Sequence, residues 1–201
     1  MDQKKQILKL ARERGMIRAE DVEAIGLSRN YLYAMHKEGL LQRNAPGLYA
    51  AFDYELNEYS SIVEVSKRIP NAVVGLISAL NFHEMTTQVP YKVWVIVPRG
   101  AWVPRIEYPP VNINYVSGSA YEFGIQEHVL NGVTVKIYSA AKTVADCFKF
   151  RNKIGLDVCL EALREVRRSK KATFDELAKA AKINRVLKIM LPYMEMEAMS
   201  E

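Results

Sequence analysis

The chain has 201 residues, of which 49% are hydrophobic and 25% charged, with a net charge of +5 at neutral pH. That balance describes one large or two small globular domains and excludes fibrous, low-complexity and disulfide-stapled chains. The surplus of cations is too small for a protein that coats nucleic acid by charge alone. No run approaches the roughly 18 apolar residues that cross a bilayer, and the start, MDQKKQILK, reads as a charged amphipathic helix rather than a signal peptide, so a cytoplasmic protein is expected.

In chain order, residues 3–14 place Ile7, Leu8, Leu10 and Ala11 on one helical stripe and stop at Gly15. Residues 19–25 predict a second short helix with Val22 and Ile25 inward, and Gly26-Leu27 a tight turn. A third helix follows, with Ser28 as N-cap and Gly39 just past its last turn. Its faces differ sharply. Tyr31, Leu32, Met35 and Gly39 fall on one side, while Arg29, Asn30, Tyr33, His36 and Lys37 fall on the other. Strand 41–43, a turn through Asn44, Ala45, Pro46 and Gly47, and strand 48–51 then form a hairpin.

Three helices and a two-stranded wing make a winged helix-turn-helix, whose third helix enters the major groove while the wing lies on the backbone or minor groove. Arg29 and Asn30 are the base-edge candidates, because Arg pairs with guanine and Asn with adenine. Tyr33, Lys37, Arg43 and Asn44 are candidate phosphate contacts, and Ser28, at the helix start, completes the DNA-binding set. Residues 1–50 hold nine Lys or Arg against six Asp or Glu, a surplus that suits a local DNA site.

The wing closes near residue 53, which sets the expected boundary between a DNA-binding domain, 1–53, and a second domain, 54–201. From Asp53 to Arg68, Leu56, Tyr59, Ile62, Val63, Ser66 and Ile69 recur at helical spacing until Pro70. NAVVGLISALNF predicts a short extended piece and a buried helix, YKVWVIVP a strand buried on both faces, and VNINYVS an alternating strand. In GIQEHVLNGVTVKIYS, Asn131-Gly132 between alternating runs predicts a hairpin with a type I′ turn. The remainder reads as helices: one capped by Ser139, one over IGLDVCLEALREVRRSKK, and one opened by the capping box of Thr173 and Glu176. The Met-rich end, YMEMEAMSE, reads as a frayed terminus. Strands followed by helices predict an α+β chain, in which the second domain is a mixed α/β unit with a small, mostly antiparallel sheet and C-terminal helices.

Few residue patterns in the chain carry chemistry. His83-Glu84 is followed by Thr87 where a zinc-protease helix needs a second His. There is no glycine-rich phosphate loop, no carboxylate pair for a nucleotidyltransferase metal site, and Glu64 with Lys67 lacks a companion Asp. Cys147 and Cys159 fall in apolar helical segments, as buried free thiols do. No catalytic residue, metal or cofactor is expected. Arg164, Arg167, Arg168, Lys170 and Lys171 form a basic helix end, which is either a partner surface or a solvated end complementing the helix dipole.

Gly26-Leu27-Ser28-Arg29 with Leu32, and Gly47-Leu48-Tyr49 in the wing, resemble the AbiEi antitoxins of type IV toxin-antitoxin systems. The likeness continues through Leu76-Ile77-Ser78-Ala79-Leu80 with His83, Tyr138-Ser139, Lys142-Thr143 with Asp146, Arg151-Asn152-Lys153 with Gly155-Leu156-Asp157, and Glu161-Ala162-Leu163. The chain departs from the commoner pattern at Phe82-His83-Glu84, where a small residue is expected after the His. The resemblance implies that the winged helix represses its own operon at promoter repeats. It also implies that the second domain counters a nucleotidyltransferase-like toxin, as part of phage defence, without forming a stable complex. Lys142, Asp146, Lys149, Arg151 and Lys153 are the candidate antitoxin surface, together with Arg164, Arg167 and Arg168, although Asp146 with Lys142 or Lys149 also has the spacing of a simple helix pair. A transcription factor whose second domain senses a small molecule is the alternative.

Overall fold

The computed structural model describes residues 2–54 and 58–199. They form two compact units. The first comprises residues up to 64 together with 128–135, and the second comprises 65–127 and 136 onward.

The first unit begins with α1 (Gln3–Arg14), whose N-cap Asp2 accepts a hydrogen bond from the Lys4 amide. Next come β1 (Met16–Ile17), α2 (Ala19–Glu23), α3 (Asn30–Lys37), β2 (Leu41–Ala45) and β3 (Leu48–Ala51). The three strands form an antiparallel sheet in the order β1-β3-β2. Ile7, Leu10, Ala11, Val22, Leu32, Met35 and Leu41 pack into one core, the apolar stripes read from the sequence. Ile25, expected to face inward, is 42% exposed because α2 ends at Glu23 and the chain is already turning. The strand β1 was not expected; two residues are too few to show periodicity.

The predicted helix over 53–68 is shorter in the structure, α4 (Ser60–Arg68), and Leu56 lies outside the described residues. The extended piece, helix and two strands that follow are β4 (Val73–Val74), α5 (Leu76–Phe82), β5 (Val93–Pro98) and β6 (Val111–Val116). A short helix, α6 (Ser119–Glu122), precedes the hairpin of β7 (Ile125–Leu130) and β8 (Val133–Tyr138). At its turn Asn131 and Gly132 both have positive φ, +50° and +74°, as a type I′ turn demands. Residues 128–135 of this hairpin belong to the first unit, where the Asn131 amide donates to the Tyr54 hydroxyl at 2.7 Å.

The larger sheet has the order β6-β5-β4-β8-β7. It is antiparallel at β4–β5, whereas β5–β6 and β4–β8 are parallel. The parallel β5–β6 pairing depends on the long connection between Pro98 and Val111, which carries the chain back to the same end of the sheet. Composition and alternation do not specify that choice.

Helices α7 (Ala140–Lys149), α8 (Arg151–Ile154), α9 (Leu156–Arg168), α10 (Phe174–Ile183) and α11 (Leu187–Met199) complete the second unit. Leu80, Val144, Phe148, Leu163, Leu177 and Met190 are all fully buried in its main core. Val73, Ile96, Val116 and Tyr138 form a second cluster, so β5 is buried on both faces as its unbroken apolar run predicts. The predicted caps are present: Ser139 accepts from the Lys142 amide, and Thr173 and Glu176 bond reciprocally. Tyr193–Met199, expected to fray, are helical, held by the burial of Met190 and Met194.

Candidate nucleic-acid interface

The geometry of α3 explains which of its residues can meet a partner. Ser28 Oγ accepts from the Asn30 amide at 3.3 Å and the Ser28 carbonyl from the Tyr31 amide, so Ser28 serves the first turn although the regular helix starts at Asn30. At the other end the Leu40 amide bonds the Met35 carbonyl and the Gly39 amide the His36 carbonyl, a Schellman pattern with Gly39 just past the last turn, where it was expected. Leu32 and Met35 face the core at 3% and 0% exposure, which fixes the rotation of the helix. Consequently Ser28, Arg29, Asn30, Tyr33 and Lys37 are all exposed. Tyr33 presents 67% of its surface.

His36 lies in the same arc but is not among the sequence candidates. It is exposed, and its Nδ1 lies 3.1 Å from the Leu41 carbonyl, tying α3 to the start of the hairpin. Its ring also meets Tyr49 edge-on at 6.0 Å. His36 therefore couples the helix to the hairpin. The hairpin turns through Pro46-Gly47 alone, two residues shorter than the expected four-residue turn, because β2 runs on to Ala45 past a bulge between Arg43 and Ala45. Arg43 is exposed on that strand. Asn44, by contrast, is half-buried at the bulge, and its Oδ1 is buried with no hydrogen-bond partner among the described residues.

The candidates of the second domain are not one surface. Two of them are buried rather than exposed. Lys142 and Asp146 are both at 0% exposure, with Nζ 2.5 and 2.6 Å from the two carboxylate oxygens, so neither can belong to an exposed antitoxin face. Burial lowers the Lys142 ammonium and raises the Asp146 carboxyl, and their mutual attraction opposes both shifts. Asn184 donates to Asp146 at 2.8 Å, and Nζ lies 4.2 Å from the centre of the Tyr138 ring. Room for this pair comes from Gly124, where a Cβ would stand 2.7 Å from that of Lys142.

Of the others, Lys149 and Arg151 are half-buried and Lys153 is exposed, its Nζ donating to Asn114 Oδ1 at 3.1 Å. Arg151 donates to the Phe148 carbonyl at 3.0 Å. At the basic helix end, Arg164 faces Glu197 at 3.7 Å, Arg168 pairs with Glu165 at 2.7 Å, and Lys171 pairs with Glu84 at 3.2 Å, while Arg167 is half-buried. Acidic neighbours thus offset much of its charge. Glu84 sits at φ +54°, a left-handed position that favours glycine, at the point where the resemblance leads one to expect a small residue. Both thiols are buried; desolvation raises Cys147 and pushes Cys159 up to about 12, which leaves them unreactive.

The stretch that contains α1 to β3 is also a stretch that a protein-family comparison matches. Residues 5–51 match the family of AbiEi antitoxin transcriptional regulators. The match covers α3 and both hairpin strands and stops where the hairpin ends. No curated protein matches the chain. The crystal structure of the RV2827C protein from Mycobacterium tuberculosis is similar in fold, with a TM-score of 0.54 at 11% identity over 97% of this chain and 81% of that one. Among the described residues no helix is long and apolar enough to cross a membrane.

Proposed function

We propose that this protein is a DNA-binding antitoxin of a type IV toxin-antitoxin system that represses its own operon. The observation that carries the reading is the exposed row of Arg29, Asn30, Tyr33 and Lys37 on a helix rotated by its buried Leu32 and Met35, within the residues that match the AbiEi regulators. In this reading α1 to β3 act as a winged helix-turn-helix. Helix α3 enters the major groove of double-stranded promoter DNA, Arg29 and Asn30 read base edges, and Tyr33, Lys37 and Arg43 hold phosphates. Ser28 orders the first turn of the reading helix. The half-buried Asn44 shapes the bulge and makes a lesser contact.

The counterpart is a nucleotidyltransferase-like toxin, opposed in the cytoplasm without a stable complex. The second unit carries that activity through its accessible cations, Lys149, Arg151, Lys153, Arg164, Arg167 and Arg168. A reporter fused to the chain's own promoter, assayed with and without the adjacent gene co-expressed, tests both halves. Repression of the reporter and rescue of growth are expected. A neighbouring gene that is harmless when expressed alone contradicts the antitoxin half, and an unrepressed reporter contradicts the regulatory half.

A further inference from the structure

A concavity of about 220 Å³ in the second unit brings together residues that are far apart in the chain. Arg99 enters from just past β5, Tyr115 and Ser117 from the end of β6 and the turn after it, Ser119 from the first position of α6, Lys149 from the last turn of α7, and Arg185 from the turn between α10 and α11. Three cations and three hydroxyls line this hollow and no carboxylate does. Among the described residues none of the three cations has an ion-pair partner, unlike Arg164, Arg168 and Lys171 at the basic helix end. Like charges that share a small space repel unless an anion joins them.

The surrounding fold holds these groups in place. The Arg99 amide bonds the Val116 carbonyl at 2.9 Å, joining the ends of β5 and β6. Arg185 has φ +60° at the reversal after α10, where its amide bonds the Lys182 carbonyl and the Val186 amide bonds the Ala181 carbonyl. Its neighbour Asn184 is 2% exposed and donates to Asp146, which lies one helical turn before Lys149 on α7. The buried Lys142–Asp146–Asn184 network therefore fixes the two elements that present Lys149 and Arg185. A buried polar network of this kind is a supporting shell for a site rather than the site itself.

We propose that this concavity binds a phosphate monoester, its dianion taken by Arg99, Lys149 and Arg185 and its oxygens by Ser117 and Ser119. Guanidinium groups match phosphate oxygens two at a time, and hydroxyls complete the oxygen shell. The volume is that of about seven waters at ~30 Å³ each, room for a phosphoryl group and the first part of its carrier. A duplex backbone is met by cations spread along a surface, whereas these converge on one hollow. Tyr115, a lining residue that is 46% exposed, offers an aromatic ring to what the phosphate carries. The inference is independent of promoter recognition, because every residue in it lies in the second unit.

The test uses the full chain, with inorganic phosphate and adenosine 5′-monophosphate as probes, adenosine as the uncharged control, and ionic strength held constant with chloride. At about ten times Kd, either anion raises Tm by about 3–6 °C, and adenosine alone does not. Arg185→Gln with Lys149→Gln weakens Kd at least about tenfold, since each variant removes a charged donor. The single variant Arg99→Gln, at an exposed position, does the same if the double variant folds poorly. Lys170→Gln, an exposed cation elsewhere, leaves both anions bound as before. An absent response to both anions, or an equal response in a folded pocket variant, overturns the assignment. So does loss of affinity for duplex DNA of arbitrary sequence in variants whose phosphate response is unchanged, an outcome that would assign these cations to a nucleic-acid surface.

Discussion

Helices α3 and α7 both show polar side chains at helical spacing, and the fold uses them in opposite ways. On α3 the long polar residues face solvent, and the core is made only by Leu32, Met35 and their neighbours. On α7 every residue from Ala140 to Phe148 is buried, including Lys142 and Asp146. The difference lies in what packs around each helix. α7 is covered by α5, α9, α10 and α11, and its small residues Ala141 and Ala145, with Gly124 beside Lys142, let neighbours close over a charged pair. α3 packs on one side only. A polar residue on a helix thus marks a surface only when the opposite face accounts for the whole core, as it does for α3.

The sharpest way to break this comparison is to unpair the buried charges. Asp146→Ala leaves the Lys142 ammonium uncompensated in the interior and should cost about 3–5 kcal/mol in urea unfolding, whereas Lys142→Met with Asp146→Leu should cost much less. Equal losses in the two variants would show that the pair does not act as a unit. On α3 the matching experiment is in its core face: Leu32→Ala should cost about 2–5 kcal/mol by opening a cavity. A loss below about 1 kcal/mol would mean that Leu32 does not fix the rotation of the helix.

Much of the frame was legible before the structure. The caps at Ser139 and Thr173, the Asn131-Gly132 turn and the extent of α1 are local signals, written in residues a few positions apart. The rest depended on neighbours distant in the chain. The burial of Lys142 and Asp146 follows from Gly124 and Asn184 and from packing by four helices, none of which the α7 sequence encodes. The pairing direction of β5 and β6 lies in the path of a long loop. The hollow around Arg185 joins residues from 99 to 185, and no spacing rule connects them.

The smallest predicted effect concerns the capping box of α10. Hydrogen bonds from Thr173 hold the Glu176 carboxyl below its ordinary value of 4.5. A carboxyl with a lowered folded pKa stabilises the fold above its unfolded pKa and loses that contribution as pH falls through the folded one. Wild type should therefore melt slightly above Glu176→Gln at about pH 7, and the difference should shrink as the pH falls below the ordinary carboxyl value of 4.5. A difference that grows in acid would reverse the sign and remove the cap as its source. Thr173→Ala, which removes the reciprocal bond, should cost about 1 kcal/mol.

The central claim is that the exposed face of α3 reads DNA, and fluorescence anisotropy with the chain's own promoter tests it most directly. Arg29→Ala and Asn30→Ala, each shown to be folded, should weaken promoter binding by about 1–3 kcal/mol and relax preference at single base pairs. Arg43→Ala should weaken promoter and unrelated duplexes alike and lower the salt dependence. Promoter affinity and base preference unchanged from wild type in both Arg29→Ala and Asn30→Ala would contradict the account.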